Sequence, residues 1–394
     1  MMPVMNAQLQ LWLNDETERR RAFPVLEHHV FLAHAGVCPL PRVAQEALTA
    51  YAHYGAQHGQ NDETLWRQIN GARRTAAELI GAQASEIALL GPTALGLSLV
   101  ANGWPWVDGD EVVYYADDYP ANVYPWLALR ERGVRPVALA VEQPGAITWE
   151  AVERALTPRT RMVALASCHY LTGFRIDVDG IGRRLRERGI LFCLDGIQSL
   201  GAFPTSVQWV DFLSADSHKW MLGPVGAGIF YVRREHHDRL KPTLLGAWNV
   251  ESPEFVAQPN IAFYDGARRY EPGSLNFPGI LAMDASLRLL LDLGIETIAD
   301  RLLTLRARLC ELLGGHGFRL PPALEAADPR HASGIVSVTH PKSDLRPVVA
   351  GLARDGISVS LRAARDGTPH LRFSPHCYNT DGDLDRVEAV LNVL

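Results

Sequence analysis

The sequence predicts an α/β protein: a doubly wound, mostly parallel sheet of seven strands with helices on both faces, followed by a smaller α+β domain. Three observations carry this. Short apolar runs recur between residues 87 and 232, spaced by helical patterns. The polar clusters fall at the carboxyl ends of these runs, where such a sheet places its ligand. Beyond about residue 265 the alternation gives way to long helices and a few strand-like pieces. A chain of 394 residues is long enough for one large domain and one smaller one.

Residues 1–20 read as a helical arm. A short strand covers 30–32, with His34-Ala35-Gly36 and a Pro-rich turn at 38–42 behind it. Two helices follow, one through Val43, Ala47 and Leu48 and one over 65–80, separated by a polar loop at 57–62. The seven sheet strands are read at 87–90, 110–115, 135–140, 162–166, 190–194, 210–213 and 228–232. The large domain spans 21–265. In the small domain, 266–394, helices cover 280–293 and 296–313. Strand-like pieces at 335–338 and 357–360 flank a helix at 345–355. A strand at 370–374 and a helix from Asp381 close the chain.

Net charge is −6, and the short arginine runs are interleaved with glutamate. Nucleic-acid binding needs clustered Lys and Arg, so it is not expected. Five scattered cysteines without CxxC spacing fit a reducing compartment and no disulfide framework. No zinc spacing appears, so no metal is expected. The amino terminus shows no signal peptide, and no apolar run approaches the roughly 18 residues of a membrane span. The expected location is the cytoplasm.

The chemistry concentrates in two stretches. Leu191-Phe192-Cys193-Leu194-Asp195 is a buried strand that delivers a carboxylate at its carboxyl end. Ser214-Ala215-Asp216-Ser217-His218-Lys219-Trp220 is a polar turn with one lysine after the next strand. Asp195 can keep a pyridine nitrogen protonated and Lys219 can form a Schiff base. These are the minimum protein groups that pyridoxal 5′-phosphate requires. A helix N-cap is the competing reading for Asp195, and a surface lysine for Lys219. Gln198 could donate to the cofactor's phenolic oxygen, or be a solvated helix residue. Thr93 and Ala94 open a helix after a strand and a Gly-Pro pair, where free N–H groups and the helix dipole suit a phosphate. Threonine there is also an ordinary N-cap. His218 is a second phosphate donor. Tyr119 could stack on the pyridine face or be a core aromatic. Arg372 is a candidate for bidentate capture of a substrate carboxylate.

Together these residues resemble the class V aminotransferases, the fold-type-I pyridoxal-phosphate branch that includes cysteine desulfurases, isopenicillin epimerase-like proteins and kynureninases. The resemblance runs from about His34 to Asn379 and is most specific in Leu194-Asp195-Gly196-Ile197-Gln198-Ser199 and in residues 214–220. It implies the Schiff base at Lys219, Asp195 on the ring nitrogen, Gln198 on the ring oxygen, and Thr93 with His218 at the phosphate. Glu271-Pro272-Gly273-Ser274-Leu275-Asn276 resembles a segment reaching a neighbouring subunit, so the resemblance implies Ser274 at the phosphate in trans and a homodimer with shared sites. It also implies Arg372 as the carboxylate anchor, and substrate-facing positions for His34, His58 and Arg175.

The implied reaction is Cα deprotonation of an α-amino acid by the freed Lys219, leading to transamination or β-elimination of the C–S lyase type. Epimerisation is the alternative and needs a second acid. Cysteine desulfuration is disfavoured because residues 360–369 carry no cysteine before Arg372, and Cys377 lies after it. A non-catalytic binding protein is disfavoured by the intact Asp195 and Lys219. A nicotinamide dehydrogenase is disfavoured by the lack of GxGxxG after the first strand.

Overall fold

The structure, a computed structural model, describes residues 6–325, 328–341 and 344–393. The strands are β1 (Val30–Phe31), β2 (Ile87–Leu90), β3 (Glu111–Tyr114), β4 (Arg135–Ala138), β5 (Thr160–Ala166), β6 (Leu191–Asp195), β7 (Phe212–Asp216), β8 (Gly228–Val232), β9 (Val336–Val338), β10 (Ile357–Ser358), β11 (Ser360–Ala363) and β12 (Pro369–Phe373). Seven of them form the central sheet, in the order β2-β8-β7-β6-β5-β3-β4.

From β4 to β7 the neighbours run parallel, whereas β8 is antiparallel to both β7 and β2. The link between β7 and β8 explains the reversal. It covers only residues 217–227, too short for a helical crossover, so the chain returns as a hairpin. Both faces of the sheet are buried, and consecutive residues alternate between two apolar clusters. Val163, Leu165, Phe192 and Leu194 enter one; Met162, Ala164, Cys193 and Phe212 enter the other. This two-sided burial is why the strands read as continuous apolar runs.

Two boundaries differ from the sequence reading. β7 starts at Phe212 and continues through Ser214 and Asp216, residues read as a turn. Their polar side chains are used inside the protein: Ser214 Oγ donates to the Thr93 carbonyl at 3.0 Å, and Asp216 accepts from the Gly226 N–H. The strand-like piece at 357–360 divides. β10 pairs with β1, while β11 pairs antiparallel with β12. Residues 360–369, the stretch without a cysteine, are therefore mostly one hairpin.

A third cluster gathers Val30 and Leu32 with residues from Leu305 to Leu391. The N–H of His34 donates to the Ser374 carbonyl, which seats residues 35–37 beside β12. The described part of the amino-terminal arm is two helices, Ala7–Asn14 and Glu16–Ala22, divided at Asp15, whose carboxylate caps the second. It is docked: Leu9 and Trp12 are buried, and Arg19 pairs with buried Asp383 at 2.8 Å. Residues 1–5 of the expected arm lie outside the described residues.

Glu271 ties the connection at 271–276 to the sheet. Its buried carboxylate receives Arg73 at 2.6 and 3.0 Å and the Leu89 N–H at 2.7 Å. Glu271→Ala would leave the Arg73 charge buried without its partner. The expected loss is about 3–5 kcal/mol of stability, read as a fall in thermal midpoint and in denaturant midpoint. A change below about 1 kcal/mol would contradict this account of the pair.

Candidate active site

A cavity of about 500 Å³ opens at the carboxyl ends of the central strands. Thr93 and Ala94 reach it after β2, Tyr119 after β3, Tyr170 after β5, Asp195 and Gln198 from the end of β6, and His218 and Lys219 after β7. Residues 35–37 and the β11–β12 hairpin, through Arg362 and Arg372, close the opposite wall.

Asp195 and Lys219 come from adjacent strands, where Asp195 pairs in register with Ser214. Both are buried, at 3% and 7% exposure. Asp195 Oδ1 accepts the Ile197 N–H at 3.0 Å, so it does make the local cap-like bond, while the residue also lines the cavity. Burial raises its carboxyl pKa, and nearby Asp118 raises it further. Burial lowers the Lys219 pKa against the pull of Asp195, and Arg372 and Arg362 add to the lowering. The Lys219 ammonium stands 5.5 Å from the centre of the Tyr119 ring. Asp118 is itself buried and raised to about 6, held by the Tyr119 N–H and the Asn122 amide.

The helix Thr93–Gly103 starts at the cavity with no side-chain cap. Thr93 Oγ1 accepts the Asp216 N–H at 2.9 Å, so its own hydroxyl proton is left to donate. His218 Nδ1 lies 3.1 Å from Asp216 Oδ1, which turns the other ring nitrogen away from Asp216. Gly91 lets the chain approach: a Cβ there would lie 2.3 Å from the Gly226 carbonyl carbon.

Gln198 is oriented by its neighbours. The Trp220 indole N–H donates to Oε1 at 2.8 Å, and Nε2 donates to the Ala35 carbonyl at 3.1 Å. Indole can only donate, so the oxygen and nitrogen of the amide are fixed, and one amide N–H remains for the cavity. Arg372 is 1% exposed. Its Nη1 donates to the Tyr170 carbonyl at 2.5 Å, while Nε and Nη2 are buried without a partner among the described residues. Orphaned buried donors of this kind mark a place for an anion.

These groups fit pyridoxal phosphate: an uncapped helix start for the phosphate, a buried carboxylate for the ring nitrogen, and a buried amine beside an aromatic face. Four expected residues do not line the cavity of this chain. His34 is fully buried and faces away. Its Nδ1 donates to the Ser374 carbonyl and its Nε2 accepts from Tyr378, so both ring nitrogens are engaged in structural bonds. Only the backbone beyond it, at 35–37, reaches the cavity. Arg175 donates to the carbonyls of Ala332 and Arg330 beside a separate cavity of about 210 Å³. His58 ends an exposed helix against Tyr54. Ser274 is exposed and lies outside the cavity of its own chain. Sequence reasoning missed Arg362, Tyr170, Asp118 and Trp220. Trp220 stood inside the 214–220 motif and Asp118 directly precedes Tyr119, whereas Arg362 gave no signal.

The family described as Aminotransferase class-V matches residues 30–387. The chain belongs to the class V aminotransferase family. It is a pyridoxal-phosphate-dependent enzyme of the fold-type-I class. Among curated relatives, it is 28% identical to a probable cysteine desulfurase of Methanothermobacter thermautotrophicus, over 94% of this chain and 96% of that one. It is also 28% identical to the uncharacterized aminotransferase YcbU of Bacillus subtilis, over 93% and 94%. Among solved structures, cysteine desulfurase CsdA of Escherichia coli aligns with a TM-score of 0.85 at 23% identity, covering 96% of this chain and 98% of that one. The cystine C-S lyase C-DES, in complex with its product cysteine persulfide, aligns at 0.83 and 24% identity, over 94% and 98%. At these identities the structural likeness establishes the fold. None of these relatives and neighbours is named as an epimerase, and cysteine desulfuration stays open.

Lys219 should show its burial in solution. The neutral amine is the reactive form, and burial favours it. In cofactor-stripped protein, labelling of Lys219 by pyridoxal phosphate, trapped with borohydride and mapped by peptide mass, should rise with pH around a midpoint well below the ordinary 10.5. Exposed Lys241 serves as the internal reference. A Lys219 midpoint matching that of Lys241 would contradict the assignment.

Proposed function

We propose that this enzyme cleaves the C–S bond of a sulfur-bearing α-amino acid by Cα deprotonation and β-elimination. The observation that carries the reading is the convergence in one cavity of buried Asp195, buried Lys219 and the orphaned guanidinium of Arg372. Thr93, Ala94 and His218 would hold the phosphate, with Asp195 on the ring nitrogen, Gln198 on the ring oxygen and Tyr119 across the ring face. When bound, pyridoxal phosphate supplies an electron sink for a carbanion at Cα.

The protein's share of the work follows from its geometry. Arg372 offers Nε and Nη2 as a fork to the α-carboxylate and fixes the substrate's orientation. Lys219, with its pKa lowered by burial, takes the Cα proton as general base near neutral pH. Loss of the Cβ sulfur group then leaves an enamine product that hydrolyses to a 2-oxo acid and ammonia. The relatives named cysteine desulfurase and cystine C-S lyase support sulfur chemistry.

Cysteine desulfuration is the second reading, favoured by the relatives' names. It is ranked below simple elimination because none of the five cysteines lines the cavity. The turn at 364–368 between β11 and β12 holds no thiol, and Cys377 is fully buried. Sulfur would therefore leave as a small thiol, persulfide or sulfide and not pass to a protein cysteine. Transamination remains the alternative fate of the same carbanion.

We further propose a homodimer. Leu244, Leu245, Phe255, Val256 and Ile261 expose 43–70% of their surface, an apolar stretch that a second copy would cover. The partner's Ser274, an exposed residue in each chain, would complete the phosphate site. A sedimentation mass of 43.5 kDa would contradict the dimer. We place the protein in a reducing cytoplasm, since all five cysteines are free. No described helix is long and apolar enough to cross a membrane.

Purified protein reduced with borohydride should carry the cofactor label on Lys219, and Lys219→Ala should lose both label and turnover. L-Cysteine and S-alkyl cysteines should yield 2-oxo acid, ammonia and a sulfur product without an added acceptor. An absolute requirement for a 2-oxo acid would establish transamination instead.

A further inference from the structure

A second arginine enters the cavity beside Arg372. In the β11–β12 hairpin, Ser360 pairs with Arg372 and Arg362 pairs with His370, so Arg362 and Arg372 are diagonal neighbours on one face. A Cβ built on Gly36 would meet Arg362 Nη2 at 3.7 Å and Arg372 Nη2 at 3.8 Å. Both guanidinium tips thus border the same small volume, which glycine leaves open.

The charges in this cavity do not balance. Lys219, Arg362 and Arg372 line it, and Asp195 is its one carboxylate among the described residues. Arg362 makes no hydrogen bond or ion pair among the described residues. The two guanidiniums repel, and burial together with Arg362 lowers the Arg372 pKa to about 10. The proposed function uses Asp195 at the ring, the helix start at the phosphate and Arg372 at the α-carboxylate. Arg362 is left without an anion.

We propose that the substrate carries a second anionic group on its side chain, a carboxylate or an oxidised-sulfur acid, bound by Arg362 while Arg372 holds the α-carboxylate. The inference rests on the proposed function and narrows its substrate class. Arg362 lines the same cavity as Arg372 but is exposed to solvent, whereas Arg372 is buried. It is a specificity residue and takes no part in proton transfer. Because its side chain is exposed to solvent, its contribution falls as salt is raised.

A matched pair isolates the effect. S-Carboxymethyl-L-cysteine and S-carbamoylmethyl-L-cysteine share shape and C–S bond and differ in one charge. Holoenzyme should favour the carboxylate in kcat/KM by about tenfold or more, the worth of one charge-assisted hydrogen bond. Arg362→Gln should erase the preference and leave the neutral member unchanged, while Arg372→Gln should weaken both members together. Calorimetry of succinate against succinamate reads the same preference without turnover, tighter for succinate in the unsubstituted protein and equal in Arg362→Gln. Equal handling of each pair by the unsubstituted protein would overturn the inference. So would an Arg362→Gln loss shared equally by both members, because that pattern describes a structural role or a partner-subunit ion pair. If neither cysteine derivative turns over and Lys219 carries no cofactor, the proposed function fails, and calorimetry still decides the inference.

Discussion

Two opposite charges, buried at the ends of adjacent strands, set the terms for the rest of the molecule. Asp195 and Lys219 attract each other, yet each is driven toward its neutral form, because lost hydration outweighs the attraction. Asp118 sharpens the imbalance from behind Asp195, and the arginines sharpen it near Lys219. An incoming group that presents a protonated ring nitrogen to Asp195 and a carbonyl carbon to Lys219 would relieve both. A bound cofactor would be held by that relief, and burial favours the neutral amine of Lys219 at lower pH than for an exposed lysine.

The fold maintains this arrangement by spreading it over several elements. Two apolar clusters clamp the sheet from either side and fix the strand ends to which the polar groups are attached. Thr93 stitches the first helix of the site to β7, and Trp220 holds Gln198 to the segment at 35–37. The wall carrying the arginines belongs to the C-terminal sheet, joined to the amino-terminal segment through β1 and β10. A substrate would therefore be gripped between the central sheet and the C-terminal hairpin, with the cofactor belonging to the former and specificity to the latter.

The sequence made much of this legible because buried parallel strands are apolar up to the residue they deliver. Asp195 stands out for that reason, and Lys219 for its place in a polar turn after the next strand. The failures have physical causes. Ser214 and Asp216 look like turn residues because their internal hydrogen bonds are made to segments about 120 and 10 positions away, which local pattern cannot show. The reversal at β8 follows from connection length, not from composition. His34 neighbours a cavity-lining stretch, but its side chain points the other way. Arg362 was hidden because only the β11–β12 register sets it beside Arg372. Ser274 is exposed and outside the cavity of its own chain, so its expected role depends on the proposed second copy.

The central claim is that Asp195 grips the ring nitrogen of a cofactor attached at Lys219. Its most direct test is nitrogen NMR of the protein loaded with pyridoxal phosphate labelled at the ring nitrogen. The account predicts a protonated pyridinium signal that persists well above neutral pH and is lost in Asp195→Asn. An unprotonated pyridine signal in the unsubstituted protein, or one unaffected by Asp195→Asn, would contradict it.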